Sequence, residues 1–181
     1  MEGDEKLIER YREGDIEAFE KLYLRYRSLL FNFIQSLTHN RDLTEDIFQQ
    51  TFIRVIDNIN SYTPSNFKAY LFTIARNLVI DHTRKKHLMI DKNIEDLNFE
   101  LKSEQDTENN AIKNIESETI RLAIEELSEE YKEIIYLKHF AGLRFEEISK
   151  ITNTSLGTLL SRFKRALEKL KTILTNKKLS P

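Results

Sequence analysis

Apolar side chains recur along the first third of the chain at steps of three and four. Phe19, Leu22, Tyr23, Tyr26, Leu29, Leu30, Phe33, Ile34 and Leu37 form one such stripe, the pattern of a helix with a single buried face. Gly14-Asp15 ahead of it supplies a break and then an N-cap. A second helix is predicted after Asn40, with Leu43, Ile47, Phe48, Phe52, Val55 and Ile56 on its apolar side. The turn residues Ser61, Thr63, Pro64 and Ser65 mark 58–66 as a loop. A third helix, from about Phe67 to Lys86, buries Phe67, Tyr70, Leu71, Ile74 and Leu78.

From about Leu88 to Glu118 the periodicity fades into charged and amide residues, the composition of a flexible, self-repelling linker. Helical spacing then returns. Ser128 is placed to cap a helix with Glu129 and Glu130 in its first turn, where acids favour the helix dipole. Its predicted buried face is Tyr131, Ile134, Ile135 and Phe140, and Gly142 ends it. Phe145–Ile151 reads as a short helix with Ile148 and Ile151 inward, followed by the turn Thr152-Asn153-Thr154. Ser155 then caps a final helix to about Leu174, with Leu156, Leu159, Phe163, Ala166, Leu167 and Leu170 on its core side. Two helices across so short a turn, the second strongly basic, have helix-turn-helix geometry. The predicted fold class is all-α: two small helical domains joined by a flexible acidic linker, the C-terminal one a helix-turn-helix.

Composition narrows the class further. Only four Gly and two Pro among 181 residues leave few tight turns, which excludes a sandwich or barrel of many short strands. The absence of Cys excludes disulfides and thiolate metal sites and suits a reducing cytoplasm. Apolar runs such as Leu78-Val79-Ile80 fall far short of the roughly 18 residues that span a bilayer, and the acidic N-terminus has no apolar signal core. A cytoplasmic protein without direct membrane insertion is expected. The net charge of −2 conceals an asymmetry. Residues 66–90 carry five Lys and Arg against Asp81 alone, and residues 157–178 carry seven against Glu168 alone. Residues 91–120 between them hold nine acids against three lysines. Two basic blocks about an acidic spacer fit a bipartite polyanion footprint, although a single charge run is more often a solvated helix face.

The basic blocks carry the candidate chemistry. Thr158, Ser161, Arg162, Lys164 and Arg165 fall largely opposite the core side of the last helix, near its N-terminus. There, a recognition helix meets base edges and phosphates in the major groove. The helix 67–86 combines aromatics with Arg76, Asn77, Asp81, His82, Arg84 and Lys85, a mixture used to hold single strands. Its aromatics Phe67, Tyr70 and Phe72 read more simply as core. No catalytic constellation appears: the four histidines show no metal-ligand pairing, there is no Gly-rich phosphate loop, and carboxylate pairs such as Glu146-Glu147 diverge around a helix. Neither an enzyme nor a small-molecule substrate, metal or cofactor is expected.

These segments, in this order, resemble the extracytoplasmic-function (ECF) sigma factors of bacterial RNA polymerase. Gly14-Asp15-x-x-Ala18-Phe19 looks like the family's opening helices, and Asp42 to Phe52 is similar to its polymerase-binding helix. Phe67 to His82 follows its promoter-melting helix. Leu127-Ser128-Glu129-Glu130-Tyr131, Gly142 to Ile148 and Ser155 to Arg162 follow its minus-thirty-five-reading domain. The resemblance implies region 2 over 1–87, a linker over 88–118 and region 4 over 119–175. It implies that Asp46, Gln49, Gln50 and Phe52 dock on core RNA polymerase. Arg76, Asn77, Asp81, Arg84 and Lys85 are implied to hold the melted minus-ten strand, and Thr158, Ser161, Arg162, Lys164 and Arg165 to read the upstream element of promoter DNA. An anti-sigma factor is a further partner common in the family. Gln50 stands where the family usually has Glu, and Leu160 where it commonly has Lys or Arg. The residues alone also admit a helix-turn-helix regulator that binds DNA without polymerase, or a helical adaptor with no DNA role.

Overall fold

The computed structural model describes residues 2–63, 66–90 and 119–179, with side chains described to 84 in the second stretch and to 176 in the third. The elements are α1 (Asp4–Arg12), α2 (Ile16–Thr38), α3 (Arg41–Asn58), α4 (Phe67–Ile90) and a helical stretch 119–125, here α5. α6 (Glu129–Ile135) runs directly into one π turn (Tyr136–Phe140), followed by α7 (Phe145–Thr152) and α8 (Leu156–Leu179). Among the described residues every regular element is helical, as the apolar spacing predicts. The predicted linker falls largely on 91–118, and Pro64 and Ser65 on the loop; these lie outside the described residues.

α2 is the central helix of the first half and packs against α1, α3 and α4. Its stripe buries Leu22, Tyr26, Leu30, Phe33 and Ile34, which meet Phe67, Leu71 and Phe72 of α4. α1, which the apolar pattern did not single out, is fixed at both ends. Leu7 and Ile8 are fully buried, and Asp4 accepts hydrogen bonds from Arg25 and from the Tyr26 hydroxyl. At the other end the Arg12 guanidinium donates to the carbonyls of Ile59 and Tyr62, satisfying acceptors that the end of α3 leaves open. Gly14, at φ +99°, turns the chain from α1 into α2 in a conformation that side chains disfavour.

The second half wraps α5, α6 and α7 around α8, with Ile124, Ile134, Leu137, Ile148, Leu159 and Ala166 at its centre. The turn between α7 and α8 is built as the sequence implies. Asn153 takes the left-handed conformation, and the Ser155 hydroxyl accepts from the Thr158 amide at 3.2 Å.

Five local expectations are corrected. Asp15 stands at the N-cap of α2, but its carboxylate is drawn 2.5 Å from Arg10 and makes no side-chain cap. Ser128 precedes α6 without a side-chain cap; its carbonyl serves instead. Phe140 is 44% exposed because the π turn inserts a residue and rotates the following positions, so that Ala141 and Leu143 face inward in its place. Ile56, on the predicted apolar side of α3, lies at 40% exposure on the margin of that helix's outer face. Leu156 and Leu167, expected in the core, are exposed on one flank of α8.

The halves are packed together, α2 against α6 and α4 against α7, and their buried residues form one contiguous cluster. Asn66 caps α4 through its side-chain oxygen and donates its amide to Glu147, whose other oxygen accepts from the Arg144 amide at the start of α7.

Candidate nucleic-acid interface

Three exposed helix faces hold the predicted site residues. On α3, Asp42, Asp46, Gln49, Ile53 and Asp57 follow one another at steps of three and four along a single outward strip, with Gln50 beside it. The strip combines acid and amide groups with an apolar centre, since Ile53 is 55% exposed. Phe52 does not belong to it. Its ring is buried against Phe19, Tyr23 and Phe48, so its part is to set the pitch of α3 rather than to touch a partner. Apolar spacing had placed Ile53 nowhere, and the signal that finds it is an apolar residue off the helix's own buried stripe.

On α4, Phe67, Leu71, Phe72, Ala75 and Leu78 turn inward. The buried Phe67 and Phe72 rings cannot stack on bases, which agrees with the core reading. Thr73, Asn77, Ile80 and Arg84 then lie in line on the other side, with Asp81 beside them and 3.6 Å from Arg84. Asn77 and Arg84 are exposed, and Ile80, unforeseen, adds an apolar step at 43% exposure. Arg76 points elsewhere. Its Nε donates to Glu133 of α6 at 2.6 Å, and the two side chains are only 18% and 16% exposed. The Lys85 side chain lies outside the described residues.

On α8, Thr158, Ser161, Lys164 and Arg165 are exposed over the first three turns. Thr158 and Ser161 are oriented locally: the Thr158 hydroxyl sits 2.8 Å from that of Ser155, and Ser161 donates to the Thr158 carbonyl at 2.8 Å. Arg162 departs from this set. It turns back to Glu130 of α6 at 3.4 Å, while Lys169 lies over the Tyr131 ring, 5.1 Å from its centre.

A groove of about 610 Å³ opens where α2, α5 and α8 meet. Its apolar wall comes from Ile120, Ile124, Tyr136, Phe140, Leu167 and Leu170, with Asn32 and Gln35 of α2 opposite. Burial pushes the Tyr136 phenol up to about 12, with Glu125 reinforcing the shift and Arg121 opposing it. Nearby, His39 faces both Glu125 at 3.5 Å and Glu129 at 3.4 Å; the same carboxylates hold the buried Lys132 ammonium at 3.2 and 3.1 Å. Among the described residues no helix is long and apolar enough to cross a membrane.

Residues 22–88 match the family model for Sigma-70 region 2, and residues 117–170 match that for Sigma-70, region 4. The chain is 31% identical over 158 residues to the ECF RNA polymerase sigma factor SigM of Bacillus subtilis, a match covering 86% of this chain and 94% of that one. It is 25% identical over 171 residues to the ECF RNA polymerase sigma factor BldN of Streptomyces coelicolor, where it spans 93% of this chain but only 65% of BldN. The fold is similar to that of the sigma factor RpoE in complex with the anti-sigma factor NepR from Bartonella quintana. That match has a TM-score of 0.69 and 26% identity, covering 92% of this chain and 100% of that one. Both regions therefore occur in order along one short helical chain, with a relative matched along nearly its whole length: the chain belongs to the extracytoplasmic-function (ECF) family of RNA polymerase sigma factors.

Proposed function

We propose that this chain directs core RNA polymerase to its promoters, dividing the work between residues 1–87 and 119–175 with 88–118 as the connection. The α3 strip of Asp46, Gln49, Gln50 and Ile53 is the polymerase-docking face, with Phe52 as its internal support. The α4 line of Asn77, Asp81, Arg84 and Lys85 receives the melted minus-ten strand, joined by Arg76 once Glu133 releases it. The opening turns of α8 read the minus-thirty-five element as duplex through Thr158, Ser161, Lys164 and Arg165, with Arg162 behind them. No covalent chemistry is needed. Unstacking a base costs a few kcal/mol, which contacts along α4 must offset.

The observation that carries this reading is the presence of three separate outward faces on the helices of one small chain: an acid-amide-apolar strip on α3, a polar line on α4 with Arg84 beside Asp81, and the cationic opening turns of α8. A regulator binding duplex alone would account for α8 and leave the α3 strip without a purpose. An anti-sigma factor is the further partner we assign. The apolar groove beside Phe140 and Leu167 suits an amphipathic helix, and RpoE of Bartonella quintana is found in complex with such a factor. Run-off transcription with purified core polymerase tests the reading, on templates enriched from a randomised library. Transcripts starting at fixed points only when the chain is added are expected. A chain that binds duplex tightly but never programs the polymerase would establish the stand-alone regulator instead.

A further inference from the structure

The recognition face of α8 is not uniformly polar. Leu156 and Leu160 are 40% and 45% exposed and stand one turn apart, and the next step along the same ridge is the exposed Lys164. A parallel ridge runs Gly157, Ser161, Arg165. Gly157 has no packing reason to be glycine: a side-chain carbon there would meet nothing within 4 Å, and its φ is not left-handed. Glycine is a poorer helix former than Ala. Its presence therefore points outward, to a surface that must come close to the helix. The two leucines and the glycine make a shallow apolar notch, open to solvent and bordered by Ser161 and Lys164.

We propose that this notch receives the 5-methyl group of a thymine in the major groove of the upstream element, with Leu160 as the specificity-determining side chain. The inference rests on the reading of α8 as a duplex reader. Lys164 at the notch and Arg165 further round the same exposed turns are placed to neutralise phosphates, so the occupant is duplex DNA rather than an apolar protein surface. Of the four base edges in the major groove, thymine presents an apolar group, while guanine offers two acceptors that a leucine leaves unpaired. Leu160 thus favours thymine and disfavours guanine at its step, where a lysine or arginine at this position would do the reverse.

The test uses the full chain bound to core polymerase. Upstream elements are first selected from a randomised duplex library, and each thymine of the winning duplex is then replaced by uracil, which lacks only the methyl. A loss of about three- to ten-fold in binding at one or two positions is expected, absent in Leu160→Ala. Selection with Leu160→Arg is expected to exchange that thymine for guanine. Both substitutions are at an exposed position, and circular dichroism with urea unfolding checks that the fold is kept. A flat uracil scan on a duplex still selected by sequence, and still weakened by Arg165→Ala, overturns the thymine notch while leaving α8 as the reader. If no upstream sequence is enriched at all, the duplex-reading role falls and the notch with it.

Discussion

Replacing Glu133 by Gln should loosen the two halves of the free protein. Glu133 and Arg76 are the most enclosed ion pair joining them, at 2.6 Å with 18% and 16% of the side chains exposed. Unit charges about 4 Å apart attract by about 4 kcal/mol at an effective dielectric of 20. Desolvation of both groups offsets much of this. Exposed pairs net about 0–1 kcal/mol, while breaking a fully buried pair costs about 3–5 kcal/mol. The Arg76–Glu133 pair lies between these limits, so Glu133→Gln should cost about 2 kcal/mol of the packing between the halves, about a thirty-fold shift in the ratio of packed to separated halves.

The lack of native cysteine makes the measurement direct. Cysteines introduced at the exposed Lys21 of α2 and Glu168 of α8 can be labelled as the sole thiols, and single-molecule energy transfer then reads the distribution of distances between the halves. Glu133→Gln should broaden it and lower its mean efficiency. Glu45→Gln, which removes the exposed i,i+4 pair with Arg41 at 68% and 49% exposure, is the control and should leave it unchanged. Distributions of the two variants that superimpose would refute the reasoning. A second readout separates roles, because on the proposed reading Arg76 leaves Glu133 to join the strand. Glu133→Gln should speed strand capture by the polymerase-bound protein, whereas Arg76→Ala should open the free protein equally but slow capture.

Asn77→Ala, on the exposed line of α4, should reduce promoter opening followed by permanganate reactivity and leave affinity for core polymerase unchanged; equal losses in both would remove Asn77 from the strand site. Arg165→Ala should weaken upstream-element binding by about 1–3 kcal/mol if it contacts a base, measured by footprinting of the holoenzyme across sequence variants. Phe72→Ala, at a position with no exposure, should cost about 3–5 kcal/mol in urea unfolding. Alkali should destabilise the fold. The Tyr136 phenol is pushed up to about 12, and burial raises Tyr26 as well, so the folded state keeps protons that the unfolded state releases above its ordinary phenolic value of about 10. Stability should hold below that value and fall between about pH 10 and 12 by about 2–3 kcal/mol for Tyr136. Urea midpoints against pH should show this, with Tyr136→Phe flattening the slope.

Features set by near neighbours were legible in the sequence. The start of α3 after Asn40, the Ser155 cap and the inward Ile148 and Ile151 each depend on residues within a turn, and each is realised. Where a rival partner sits slightly farther off, local reading failed. Arg10, five residues before Asp15, takes the carboxylate that a cap would use. One extra residue in the π turn sufficed to turn Phe140 out of the core. Periodicity also grouped Leu156 and Leu167 with the core, because the spacing defines a stripe but not how far neighbouring helices extend over it.

The largest difference concerns Arg76 and Arg162. Charge runs count both as free cations, and the acids opening α6 read as support for its dipole. In the fold those acids are partners instead: Glu130 holds Arg162 of α8 and Glu129 holds Lys132, while Glu133, one turn further along, holds Arg76 of α4. The partners of Arg76 and Glu133 are 57 residues apart, across a segment whose pattern carries no information about docking. One helix thus presents carboxylates to a cation from each of the two basic faces. A phosphate approaching Arg76 or Arg162 competes with a carboxylate already in place, whereas Lys164 and Arg165, beside Arg162, stand exposed. If the strand is held on α4 as proposed, Glu133 sets how readily Arg76 is released to join it.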